Sequence, residues 1–193
     1  MRILWYLVGI SVVIQPLGCT PDDNFVPPPV YTFLSDADLQ DINERGMPIY
    51  VGSNPPYSMG TFALNSLEIT FDAAGQTGLI DPQEIKIDDD GHDFNVAVCE
   101  YGVDSSWSTC SVKAYISGLK DCFTIYSVSA GRTGRCEHDD INIYSGCFDD
   151  KGHMTKYHKA FFPTAHSGDC DDRPAIGELQ IQAEKDGLSE WIE

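Results

Sequence analysis

Positive charge is what the chain has least of. Its 193 residues hold 12 Lys+Arg against 30 Asp+Glu, a formal net charge of −18. Basic side chains this few and this scattered cannot neutralise a row of phosphates, which argues against nucleic acid as a partner. They also offer an anionic membrane surface little attraction. No apolar run reaches the roughly 20 residues of a spanning helix. The chain contains no G-x-S-x-G, H-E-x-x-H, G-x-x-x-x-G-K-[ST] or G-x-G-x-x-G. Elbow-serine hydrolases, zinc proteases, phosphate-loop enzymes and dinucleotide enzymes therefore have no motif to stand on. The absence of any C-x-x-C pair removes the usual spacing of a structural zinc site.

With 42% hydrophobic residues, a chain of this length can bury a core of its own, and one domain is the expectation. The acid excess suits solubility outside the cell, with calcium or a cationic ligand as the other reading. Met1-Arg2 gives a short positive end, Ile3–Ile14 is apolar, and Gln15-Pro16-Leu17-Gly18 leads to Cys19. This reads as an export signal over residues 1–18. Residues 19–33, with Pro21, Asp22, Asp23, Asn24 and Pro27-Pro28-Pro29, read as an extended tether, and residues 34–193 as a single disulfide-bonded β domain.

The first ordered element is expected to be a short helix. Ser35 is a good N-cap, Asp38 stands at the capping-box position, Leu34 and Leu39 can staple the entry, and Gly46 offers a stop. After Gly46 the apolar period becomes two. Strands are expected at Thr61–Leu64, Leu67–Phe71, Ile85–Ile87, Phe94–Val98, Val112–Ile116, Phe123–Val128, Ile141–Tyr144, Met154–Phe161 and Ile176–Ala183. Turns are expected at Asp88–Gly91, Ser117-Gly118, Gly131–Gly134 and Asp149–Gly152. The fold class is all-β: an antiparallel up-and-down, lipocalin-like barrel of about eight strands behind one short helix, with a β-sandwich as the alternative. Closure favours the barrel because it leaves no edge.

Seven cysteines follow the same logic. Setting Cys19 aside leaves six, an even number for an oxidising compartment. Short-range pairing in a meander gives Cys99 with Cys110, Cys122 with Cys136, and Cys147 with Cys170.

Leu17-Gly18-Cys19 resembles a bacterial lipoprotein signal, which implies that Cys19 is lipidated and that its acyl chains hold the protein to a bilayer. Ile49-Tyr50-Val51-Gly52-Ser53-Asn54-Pro55-Pro56, then Gly60-Thr61-Phe62, resembles a group of uncharacterised bacterial cell-envelope lipoproteins. Ile176-Gly177-Glu178-Leu179 and Lys185–Glu190 are similar to the C-terminal strand and tail of that group. The resemblance implies an envelope-located β domain and carries no activity, cofactor or catalytic residue.

Physically, Pro55-Pro56 between Gly52 and Gly60 makes either a plug at the barrel's end or a rim that places Asn54, Tyr57 and Met59 at a ligand cavity. Trp107, in a polar loop, is a binding tip or a cover for the Cys99–Cys110 hairpin. Calcium has two candidate loops, Asp88, Asp90 and Asp93 with Gly91, and Asp169 with Asp171 and Asp172, neither of which completes an EF-hand. Turn formation and solubility are the leading explanation of both clusters. His153, His158 and His166 could hold a transition metal with Asp169 or Asp171, although residues five apart on a strand point to opposite sides. His92 and His138 are read as surface residues in acidic turns. The leading expectation is an exported lipoprotein, not catalytic, that binds a small ligand or an envelope partner. An extracytoplasmic hydrolase using carboxylates or a histidine-bound metal, and a calcium-stabilised adhesion domain, are the alternatives.

Overall fold

The computed structural model describes residues 22–192 apart from 58, 91–93, 104–106 and 171–172. The proposed signal, Cys19, His92, Asp93 and Asp171 lie outside the described residues.

Helix α1 (Asp36–Glu44) begins where its cap predicts. The Ser35 hydroxyl accepts from the Asp38 amide at 3.2 Å, and the Asp38 carboxylate accepts from the Ser35 amide at 2.8 Å. Two otherwise orphaned donors are thus satisfied. Leu39 and Ile42 face inward, and Gly46, with φ of 101°, lets the chain leave the helix.

Twelve strands follow among the described residues: β1 (Ser53–Asn54), β2 (Gly60–Leu64), β3 (Leu67–Asp72), β4 (Gly78–Leu79), β5 (Gln83–Asp89), β6 (Asn95–Gly102), β7 (Trp107–Leu119), β8 (Cys122–Thr133), β9 (Cys136–Phe148), β10 (Met154–Gly168), β11 (Gln180–Glu184) and β12 (Leu188–Trp191). Hydrogen bonding runs β12-β2-β5-β6-β7-β8-β9-β10 and returns from β10 to β12. The all-β, antiparallel expectation therefore holds as a closed ring of eight strands, with no division into two facing sheets.

The ring is not a regular barrel. β10 shares one edge between two partners: Met154 and Thr155 pair with β12, and His158–Phe161 pair with β11. Between them lies a bulge where Lys156 takes φ of 54° and its amide faces the Gly187 carbonyl. β11 continues to β3 and β3 to β4. The β3–β4 and β2–β5 pairs share one register, so residues 60–72 and 78–89 form a single interrupted hairpin.

Two apolar clusters lie on opposite faces of the ring. Phe62, Leu64, Leu67, Ile85, Ile87, Val98, Ile116, Phe123, Ile125 and Met154 fill its interior. Val30, Leu34, Leu39, Ile42 and Met47 cover its outer face over Tyr126, Ile141, Ile143, Ala160 and Ile181. Both faces of β8 and β9 are therefore buried, and every residue of Ile141–Ser145 is buried, the polar Asn142 and Ser145 included. Phe62, Phe123 and Phe148 stack across one end, with centroids 5.2–5.6 Å apart. That end is closed.

The Pro-rich stretch does not stand off as a spacer once it is described. Asp22 and Phe25 accept from the Ser53 and Gly52 amides, Phe25 packs on Phe94 with centroids 4.6 Å apart, and Pro28–Thr32 makes a 3-10 turn that buries Val30 completely. The prolines fix the turn, and the apolar residues between them dock it. Close approach needs glycine: a Cβ on Gly52 would stand 2.6 Å from the Gly118 carbonyl oxygen, where β1 lies parallel to β7.

Three disulfides form: Cys99–Cys110 and Cys122–Cys147 staple neighbouring strands, and Cys136–Cys170 ties the start of β9 to the segment just past β10. The first is the expected pair, and the other two correct the expectation. β8 is 12 residues long, so its first residue lies roughly 40 Å along the strand from the hairpin that leads to Cys136. Cys122 instead faces Cys147 directly in the β8–β9 ladder. Disulfides of this kind belong to an oxidising, extracytoplasmic compartment. No helix among the described residues is long and apolar enough to cross a membrane.

Candidate functional site

Opposite the phenylalanine-closed end, the interior turns polar. The cause is strand alternation carried past the apolar stretch. In β6, Val96 and Val98 face inward, and two residues later the same face presents Glu100, fully buried. In β9 the inward row runs from Tyr144 and Asn142 back to Asp140 and His138, all buried. β10 contributes Lys159 and Phe161, β11 contributes Gln180 and Gln182, and β5 contributes Gln83. Arg173 reaches in from the segment between β10 and β11.

Two ion pairs organise this space. The Lys159 ammonium donates to Glu100 Oε2 at 2.7 Å, and the Tyr144 hydroxyl donates to the same oxygen at 3.1 Å. Arg173 Nη2 lies 2.7 Å from both Asp140 oxygens, while His138 Nδ1 stands 2.8 Å from Oδ2. Burial alone would raise the Asp140 carboxyl, but the His138 hydrogen bond and the Arg173 charge outweigh it and hold the group below the usual carboxylate range. Burial, followed by the Glu100 charge, pushes the Tyr144 phenol well above its ordinary value, so it stays a donor. Lys159 and Arg173 both lie over the Phe161 ring, 5.1 and 5.7 Å from its centroid.

Beside the pairs opens a cavity of about 410 Å³, lined by Gln83, Trp107, Lys159, Phe161, Arg173 and Gln182 among others. Its size is that of a small-molecule site. Several buried polar atoms of this region have no hydrogen-bond partner among the described residues: Gln83 Nε2, Glu100 Oε1, Asn142 Nδ2, Arg173 Nε and Gln182 Oε1. A buried group left this way costs about 1–3 kcal/mol. Gln83, Arg173 and Gln182 line the cavity, so its wall offers fixed donors and acceptors around paired charges.

Of the residues singled out by sequence, Trp107 lines this cavity. Asn54, Tyr57 and Met59 do not come to it. Asn54 pairs with Leu119, at the other end of β7 from Trp107; Tyr57 is exposed, and Met59 packs on the interior apolar cluster. Asp88 is exposed and paired with Lys86 Nζ at 3.0 Å, Asp90 is exposed just past β5, and Asp169 is exposed beyond β10. His153 stands 3.3 Å from Asp149, and His158 donates to the Lys156 carbonyl. Exposed His166 is opposite His138 in the β9–β10 ladder. Among the described residues no three metal-ligating side chains converge. His138 corrects its expectation, because it is 4% exposed inside a strand and not a surface turn residue.

Sequence reasoning missed Glu100, His138, Asp140, Lys159 and Arg173. The signal for the first was present: Val96, Val98 and Glu100 keep one period, which places a carboxylate on a core-facing position. Arg173 had no such signal, since it acts from an irregular segment.

Set against protein-family models, curated proteins and solved structures, the chain matches none.

Proposed function

We propose that this protein is an exported lipoprotein, held to a membrane through acyl chains on Cys19, whose ring domain binds a small ligand in its polar open end without chemically transforming it. The carrying observation is the 410 Å³ cavity bordered by buried, unpartnered donors and acceptors beside two buried ion pairs. A merely structural interior gains nothing from such groups, since apolar residues of the same shape are neutral or stabilising. A ligand that fills the cavity gives them partners. The compartment fits: six cysteines are consumed in three disulfides, and the seventh, Cys19, is the residue that the lipoprotein-like signal assigns to acylation.

The test is a native mass spectrum of the full chain, expressed with its own N-terminal segment through an oxidising compartment and purified without added ligand. The proposal expects a small-molecule adduct that Trp107→Ala removes. An adduct that survives Trp107→Ala would move the site elsewhere. A bare mass, with no small molecule stabilising the protein in a subsequent screen, would contradict the binding reading. For the anchor, Cys19→Ser should shift the protein from the membrane fraction to the soluble one.

A further inference from the structure

The chemistry of the cavity wall narrows its ligand. Both cations at the site are already engaged, Lys159 with Glu100 and Arg173 with two oxygens of Asp140. An anionic ligand that reached the free Arg173 Nε would meet Asp81 on the cavity wall within a strongly acidic protein. A cationic ligand that approached the exposed Asp81 would meet the Lys159 and Arg173 charges on the same wall. Displacing either of those cations from its carboxylate would leave a buried charge without its partner. On the cavity wall the unpartnered atoms are mixed, donors on Gln83 Nε2 and Arg173 Nε and an acceptor on Gln182 Oε1, with Asn142 Nδ2 and Glu100 Oε1 unpartnered among the buried residues nearby. A hydroxyl is the group that answers both, donating to one neighbour and accepting from another. Trp107, half-buried at the mouth, and Phe161, beneath the two cations, add apolar faces to the wall.

On the binding reading above, we propose that the ligand is a neutral, hydroxyl-rich molecule of saccharide size, held by its hydroxyls against Gln83, Gln182 and the two ion pairs, with an apolar ring face on Trp107. The ion pairs act as fixed bidentate partners. Arg173 and Asp140 are locked together, as are Lys159 and Glu100, so each presents a donor edge and an acceptor edge without changing net charge. Affinity is expected to be insensitive to salt, because no counter-charge is exchanged on binding.

The test titrates the full chain with neutral probes (D-glucose, D-galactose, N-acetyl-D-glucosamine and maltose) and with charged probes of similar size (L-glutamate, L-lysine and glucose 6-phosphate), by tryptophan fluorescence and saturation-transfer NMR. The expected result is saturable binding of at least one neutral saccharide, weakened about tenfold or more by Trp107→Ala and by Gln83→Leu. Trp107 is a half-buried rim residue, so its variant should keep the wild-type melting temperature and report on binding alone. Binding of charged probes only would overturn the ligand class and leave the cavity as a binding site. Binding of no probe, while the native mass spectrum still carries an adduct that Trp107→Ala removes, would likewise overturn the saccharide and spare the binding reading. Binding of no probe with a bare mass would end both.

Discussion

Lys159 and Glu100 meet at 2.7 Å where Glu100 has no exposure to solvent and Lys159 has little. Removing one partner strands the other charge in a low-dielectric interior, so Lys159→Met should cost about 3–5 kcal/mol in urea unfolding. The double variant Lys159→Met/Glu100→Gln should recover a large part of that loss, since no buried charge then remains unpaired. If the single and double variants are equally unstable, the pair is not the buried unit described.

Glu184 carries a second residue-scale consequence. Burial foremost, with the Asp186 carboxylate adding to it, raises its pKa from 4.5 to about 7, while the Ser66 amide donates to one of its oxygens at 2.9 Å. Between pH 4.5 and 7 the folded protein keeps a proton that the unfolded chain has released. Stability therefore falls as pH rises through that window, by roughly 1–2 kcal/mol after allowance for solvent screening. Glu184→Gln should flatten this slope in denaturant melts at pH 5 and 7.5. Asp140 acts oppositely: its depressed folded pKa gives stability that is lost as acid protonates it, on the low side of the ordinary carboxylate range.

At the scale of elements, α1 is a cover. Ile42 is 1% exposed against the outer face of β8–β11, and Ile42→Ala should cost about 2–5 kcal/mol with no effect on the cavity, which lies on the other side of the sheet. Peptide mapping under non-reducing conditions should yield Cys99–Cys110, Cys122–Cys147 and Cys136–Cys170; a Cys122–Cys136 fragment would contradict the β8–β9 register. The helix was legible because capping is local: Ser35, Asp38 and Gly46 suffice to place it. The cores of the strands were legible from alternation. Their lengths were not. Glu137-His138-Asp139-Asp140 looks like turn chemistry, but β9 begins at Cys136 and sends every second one of these residues inward. The same shortening of β8 and β9 misdirected the disulfides, because it hid how far apart the two ends of the hairpin lie. Of the site, only Trp107 was read in advance, and the acidic turns drew attention toward the surface instead.

At the scale of the whole molecule, the ring has two unlike ends. One is packed with Phe62, Phe123 and Phe148. The other keeps amides, two ion pairs and a cavity whose wall carries buried polar atoms without a partner among the described residues. Closure was legible as a likelihood of topology, since an even meander leaves no edge; the polar end was not, because it depends on which face of each strand turns inward and on an arginine from outside the strands. The central claim is that these polar groups are held ready for a ligand and are not used by the fold. Gln83 tests it most directly, being 2% exposed with an unpartnered amide nitrogen. The measurement is the urea unfolding free energy of ligand-free Gln83→Leu against the parent chain. The account predicts that the variant is as stable or more stable, by up to about 1–3 kcal/mol; a loss of more than about 1 kcal/mol would mean that the amide is part of the fold, and would contradict it.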